Sequence, residues 1–146
     1  MKLYLDNCCY NRPFDTQEQL TVRMETDAKL QIQESIKRGE HDLVWSFVLD
    51  YENSANPQKS IGRKIAEWKA LATEDIDYSV EVENKAAEYL RLGIRQKDAS
   101  LIACAVEANC DFFLTTDKSI LNKSTSIPCM EIINPIDFIR RYEDVL

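Results

Sequence analysis

The stretch K97-D-A-S-L-I-A-C-A-V-E-A-N-C-D-F-F-L-T-T-D117 decides how the chain is read. It places Asp98 at the entrance to an apolar segment and Asp117 at the exit of the next one. Ala99 to Ala108 lacks a polar face, which predicts a buried helix, and DFFLTT at 111–116 is rich in β-prone residues and predicts a strand ending at Asp117. A helix that feeds a strand, with an acid at the start of the one and the end of the other, is the unit from which the rest can be built outward.

Upstream, KLYL at 2–5 is a short β-prone run that stops at Asp6. Pro13, Asp15 and Thr16 predict a loop and a helix start, because Asp15 with Glu18 and Thr16 with Gln19 both have the spacing of a capping box. Leu20, Met24, Ala28, Ile32 and Ile36 then recur every four residues as the apolar stripe of a long helix, which Gly39 is placed to end. LVWSFVL at 43–49 reads as a strand buried on both faces. Pro57 separates a short helix after that strand from the next one, where Ile61, Ile65, Trp68 and Leu71 mark the buried face, and Val82, Ala86, Ala87 and Leu90 outline another, capped at Gly93. CMEII at 129–133 is the expected last strand, and Pro135 opens a final helix through Phe138 and Tyr142.

This alternation of strands and helices predicts a three-layer α/β/α sandwich with a mostly parallel central sheet, formed by residues 1–146 as a single domain. No apolar run reaches the roughly 18 residues of a membrane span, and the first residues turn polar too soon for a signal peptide, so a cytoplasmic protein with no membrane association is expected. The five cysteines are odd in number and contain no CxxC, which fits neither a disulfide framework nor a zinc site. A formal charge of −7 and a pI near 4.8 argue against nucleic-acid binding by the whole surface, while leaving room for a small site that carries its own metal.

In such a sheet the helix N-termini share an edge with the strand C-termini, where ligands usually bind. Asp6, Glu52, Asp98 and Asp117 all fall on that edge. Taken singly, each suits an ordinary turn or helix cap. Together they repel: two carboxylates about 5 Å apart cost about 3 kcal/mol at an effective dielectric near 20, so a fold that gathers four of them calls for a cation. Oxygen ligands without neighbouring histidines suit Mg²⁺ or Mn²⁺, which activate water and shield a phosphodiester during in-line attack. Asp50, two residues before Glu52, is a second candidate for the acid after the second strand.

These residues resemble the PIN domain, including the toxin nucleases of toxin–antitoxin pairs. LYLD at 3–6 looks like the family's first strand and first acid, SFVLDYE resembles its six-residue step from a serine, Ser46, to the second acid, which favours Glu52 over Asp50 and leaves Asp50 as a helix cap, and DASLIACAVEANCDFFLTTD resembles its third-acid helix and last-acid strand. The resemblance spans almost the whole chain. It implies Mg²⁺- or Mn²⁺-dependent hydrolysis of RNA, with Asp6, Glu52, Asp98 and Asp117 as catalytic metal ligands, metal-activated water as the nucleophile, an antitoxin partner and a homodimer. Asn7 and Cys8 depart from the family, which commonly has Thr or Ser after the first acid or Asn two places on; Asn7 would supply an amide near the metal. Thr115 and Thr116 are candidates for holding a ligand or the substrate phosphate, and Arg12, Arg95, Lys97 and Lys118 for holding the RNA backbone. Trp45, Trp68, Phe112 and Phe113 are assigned to the core and His41 to the surface.

Other chemistries fit less well. A haloacid-dehalogenase-type phosphotransferase needs an aspartate at position 8, which is Cys8, and a thiol phosphatase needs an arginine where Phe14 and Asp15 stand. The three glycines form no phosphate-binding loop. The rival reading is a catalytically weakened PIN fold that serves as an RNA- or protein-binding module.

Overall fold

A computed structural model describes residues 1–143. Its five strands, β1 (Lys2–Leu5), β2 (Asp42–Ser46), β3 (Glu74–Ile76), β4 (Phe112–Leu114) and β5 (Glu131–Ile133), form one all-parallel sheet in the order β3-β2-β1-β4-β5. The chain winds outward from β1 to β3 on one side and returns across β1 to build β4 and β5 on the other. That reversal puts the topological switch at the C-terminal end of β1, where a crevice for a ligand forms. The helices are α1 (Asn7–Asn11), α2 (Leu20–Lys37), α3 (Phe47–Ser54), α4 (Lys59–Ala66), α5 (Val80–Arg91), α6 (Gln96–Glu107), α7 (Lys118–Leu121) and α8 (Pro135–Phe138). They flank the sheet as a three-layer α/β/α sandwich, with α5 packed on α6 and α2 on α8.

The central strands bury both faces, which explains their unbroken apolar runs: Leu3, Tyr4, Leu43, Val44, Trp45, Phe113 and Leu114 are all enclosed. α6 continues this core with Ala99, Leu101, Ile102, Ala103, Cys104 and Ala105. Gly39 and Gly93 follow α2 and α5 in the left-handed region, at φ 77° and 88°, where a side chain would be strained. All five cysteines are free thiols, with Cys129 exposed. No helix among the described residues is long and apolar enough to cross a membrane.

Several local expectations are corrected. The run 43–49 is not one strand: β2 ends at Ser46, whose hydroxyl caps α3 by accepting from the Leu49 N–H at 3.5 Å. Asp50 is therefore inside α3 rather than its cap, and its carboxylate takes the Trp45 indole N–H at 2.9 Å and Lys69 at 3.1 Å. Neither capping box at 15–19 is used, because 12–14 forms a 3₁₀ turn and α2 starts at Leu20 without a side-chain cap. Leu20 and Met24 are exposed, so the buried stripe of α2 begins lower, through Glu25, Ala28, Lys29, Ile32 and Ile36. Glu25 is tolerated there because Arg12 and the Asn134 amide donate to its two oxygens, each at 2.8 Å. Trp68 is only partly buried, with the Lys29 and Lys37 ammonium groups over its ring at 4.8 and 5.6 Å. His41 is half-buried, edge-on to Phe138 at 5.5 Å. α1, β3 and α7 have no counterpart among the elements expected from the sequence.

Ser46 is fully buried and also shares a 2.6 Å hydrogen bond with the Tyr4 hydroxyl, so it joins β1, β2 and α3 at once. Ser46→Ala removes the cap and leaves a buried phenol unpaired, which should cost about 2 kcal/mol. In urea unfolding the midpoint should fall with an unchanged slope; an unchanged midpoint would show that Ser46 anchors nothing.

Candidate active site

Asp6 comes directly after β1. Its N–H continues the strand ladder by donating to the Leu114 carbonyl at 2.9 Å, which fixes its side chain beside the end of β4. There the Thr115 hydroxyl donates to Asp6 Oδ2 at 2.8 Å and accepts the Asp117 N–H at 3.0 Å. Thr115 thus sets the spacing between the first and last acids. Asp98 lies in the first turn of α6, where the positive end of the helix dipole favours a carboxylate. Asp117 caps α7, its Oδ1 accepting from the Ser119 N–H at 2.9 Å and hydroxyl at 2.7 Å. Glu52 comes from α3, and its position is set by the Ser46 cap that starts that helix at the end of β2.

The four carboxylates line one cavity of about 300 Å³, together with Asn7, Cys8, Asn11, Arg95 and Lys97. Asp6, Glu52 and Asp98 are buried, at 5%, 9% and 8% exposure. Arg95 bridges two of the acids, with Nη2 2.8 Å from Asp117 Oδ2 and 3.0 Å from Asp98 Oδ2, while Nε donates to Asp98 at 3.1 Å. Lys97 Nζ stands 3.6 Å from Glu52 Oε2. Two polar atoms of residues that line the cavity are buried without a partner: Glu52 Oε1 and Asn7 Oδ1.

These contacts set the electrostatics. Burial pushes the Asp6 carboxyl well above its usual range, and the nearby Cys8, Glu52 and Asp98 add to this against the Thr115 hydrogen bond. Burial also raises Glu52 against the opposing charge of Lys97, and raises Asp98 against Arg95. At Asp117 burial pushes upward too, but the Ser119 hydrogen bonds and Arg95 outweigh it and hold the carboxyl below its ordinary value.

Among the described residues no three His, Cys, Asp or Glu side chains stand close enough to hold a metal ion as placed. The basic side chains Arg95 and Lys97 reach the acids instead. The donor set nevertheless fits a hard divalent cation, because four carboxylates and two side-chain amides supply oxygen ligands beside Cys8, Arg95 and Lys97, and two of these oxygens, Glu52 Oε1 and Asn7 Oδ1, are unpaired acceptors. Such an orphan is costly in an apolar interior and is relieved by a cation or by water.

Of the other candidates, Arg12 lies outside the cavity, ion-paired with Glu25 at 2.8 Å and Asp15 at 2.9 Å. Lys118 is exposed on α7, and Thr116 contributes a backbone N–H to Cys8 Sγ at 3.4 Å. Cys8 and Asn11 were not anticipated on the wall. They arrive there on α1, a five-residue helix too short for periodicity to reveal, and only the i, i+4 spacing of Asn7 and Asn11 hints at it.

No protein-family profile matches the chain, and no curated protein matches it. Among solved structures it is similar to a chain in the crystal structure of VapBC2 from Rickettsia felis bound to a DNA fragment from their promoter. The TM-score is 0.56 at 16% identity, over 92% of this chain and 98% of that one. At that identity the likeness is one of fold, and it agrees with a three-layer PIN-like sandwich.

Because folded Asp6 holds its proton more tightly than the unfolded chain does, it favours folding at acid pH and opposes it as pH rises from the ordinary carboxylate range to its raised folded value. Asp6→Asn should therefore be more stable than the native protein at neutral pH in chelator, and the advantage should vanish as pH falls into the ordinary carboxylate range. Thermal melts across pH check this; a variant less stable at neutral pH would contradict the burial argument.

Proposed function

We propose that the protein is a Mg²⁺- or Mn²⁺-dependent endoribonuclease and the toxin of a toxin–antitoxin pair. The observation that carries this reading is the convergence of Asp6, Glu52, Asp98 and Asp117, from four separate parts of the chain, on one cavity at the sheet's switch point. The fold likeness to VapBC2, a toxin–antitoxin complex, supports it, as does the sequence resemblance to PIN nucleases. An antitoxin and a second copy of this chain are the protein partners the reading implies.

The four acids and the Asn7 amide would hold the metal, which when bound supplies activated water and neutralises charge on the scissile phosphate. The chain's own residues do the positioning. Thr115 aims Asp6, the Ser119 bonds aim Asp117, and Arg95 and Lys97 present positive charge at the rim of an otherwise acidic protein, where an RNA phosphate would approach. Oxygen ligands and water suffice for this hydrolysis, so no protein nucleophile is invoked.

One observation favours the second reading, a PIN fold that binds RNA or protein without cutting. Arg95 and Lys97 already engage three of the acids, as they would in a site that had exchanged its metal for internal cations.

Incubation with single-stranded and hairpin RNA in Mn²⁺, Mg²⁺ or chelator separates the two. The nuclease reading expects cleavage that needs metal and that Asp98→Asn reduces by about 100-fold or more. Folded protein that cuts no RNA with either ion would favour the binding module.

A further inference from the structure

The oxygens of the acid cavity are not equally available. Glu52 lines the cavity with a side chain only 5% exposed, and its Oε1 is buried with no hydrogen-bond partner, an acceptor uncommitted to any protein donor. At the other end Asp117 has neither oxygen free. Its Oδ1 is committed to Ser119 as the cap of α7, and its Oδ2 to Arg95. Asp98 Oδ2 is held by the same guanidinium through Nε and Nη2.

The Ser119 bonds belong to the fold, whereas the Arg95 bonds do not. Arg95 is the N-cap residue of α6 with an extended backbone, its side chain is 69% exposed, and it can swing outward without disturbing a helical turn. A guanidinium keeps its proton at any physiological pH, so it can release the two aspartates only by moving away. Its hold is also modest, since ion pairs formed by so exposed a side chain are weak.

Resting on the nuclease reading above, we propose that Arg95 is an internal counter-ion that clamps Asp98 and Asp117 together in the metal-free protein, and that a divalent cation enters by displacing it. The released guanidinium then stands at the rim, able to make a bidentate contact with the RNA phosphate. Metal entry and substrate capture are thereby linked through one side chain: while Arg95 holds the acids it cannot hold the phosphate. Arg95 is thus a competitor of the metal in the free protein and a phosphate-binding residue once released. Lys97 does not compete in the same way, because it stands 3.6 Å from Glu52 Oε2 and leaves Oε1 without a protein partner.

The test is titration of Mn²⁺ alone into metal-stripped native protein, Arg95→Gln and Arg95→Lys near neutral pH, by calorimetry and by melting temperature, with circular dichroism confirming each fold. Arg95→Gln should bind Mn²⁺ about 3- to 30-fold more tightly, as expected for removing two weak ion pairs that the metal must otherwise break. Without metal it should melt below the native protein, because the Asp98–Asp117 repulsion is no longer bridged, and its melting temperature should rise more on adding Mn²⁺. Arg95→Lys, which keeps the charge without the fork, should fall between the two. With RNA, Arg95→Gln should raise KM more than it lowers kcat while needing less Mn²⁺ for half-maximal rate. Native protein that binds Mn²⁺ while Arg95→Gln binds it equally or more weakly would overturn the displacement and leave the nuclease reading standing. Absence of Mn²⁺ binding in both folded proteins would overturn the two together.

Discussion

The hydrogen-bonded ladder on both sides of β1 is the constraint on which the rest depends. Leu3 and Tyr4 pair with Leu43 and Val44 on one side and with Phe112 and Phe113 on the other, so the positions of β2 and β4 are fixed relative to β1 with no freedom to slide. Because all three strands run in one direction, their C-terminal ends lie at one edge, and the residues just past each strand are delivered to the same place. Asp6 comes after β1, Ser46 ends β2 and starts the helix that carries Glu52, and Thr115 with Asp117 come after β4. A slip of one residue in either pairing would turn the buried side chains to the opposite face and scatter this set.

Gathering acids at that edge has an electrostatic consequence that the fold meets in two different ways. Asp117 is stabilised as an anion, by helix capping and by Arg95. Asp6 is not; it is buried among other acidic groups with a single hydroxyl donor, and its proton is correspondingly hard to remove. Asp98 and Glu52 lie between these extremes, each raised by burial, with Arg95 and Lys97 offsetting it at Asp98 and Lys97 at Glu52. The cavity therefore contains one carboxylate settled as an anion by its protein neighbours and three whose ionisation burial opposes, Asp6 most strongly.

What was legible in the sequence depended on how long and how periodic each segment is. The helix from Gln96 and the strand after it were plain, because a ten-residue apolar run without a polar face has one comfortable place in a small α/β protein. The six-residue step from Ser46 points to Glu52, which does line the cavity, even though the local structure between them is a helix and not the end of a strand. Phe47, Val48 and Leu49 are apolar whether they extend β2 or begin α3, and hydrophobicity alone cannot separate the two. The seryl hydroxyl decides it, through a bond that has no signature beyond the residue itself. The edge strand Glu74–Ile76 was invisible because it is acidic and only partly buried, the reverse of the pattern that marks a central strand. Arg12 was drawn toward the site by its position in the chain, yet the buried Glu25 claims it, and nothing local in the sequence announces a partner 13 residues away on the next helix.

The placement of the acids also bears on why the chain has them. A buried carboxyl whose proton is held more tightly in the folded state subtracts from stability at neutral pH, and a neutral amide of the same shape would not. For Asp6 the environment offers little that specifically favours the ionised form; one threonine hydroxyl would serve an amide oxygen equally well. Glu52 goes further, because its Oε1 is buried with nothing to accept from, a cost that a leucine of similar volume would avoid. Stability therefore does not account for these two residues, whereas a cation held among their oxygens would convert each of those costs into binding energy. The same arithmetic separates them from Asp117, which the fold would keep for its cap alone, and it identifies Asp6 and Glu52 as the positions whose chemistry is hardest to explain without a ligand.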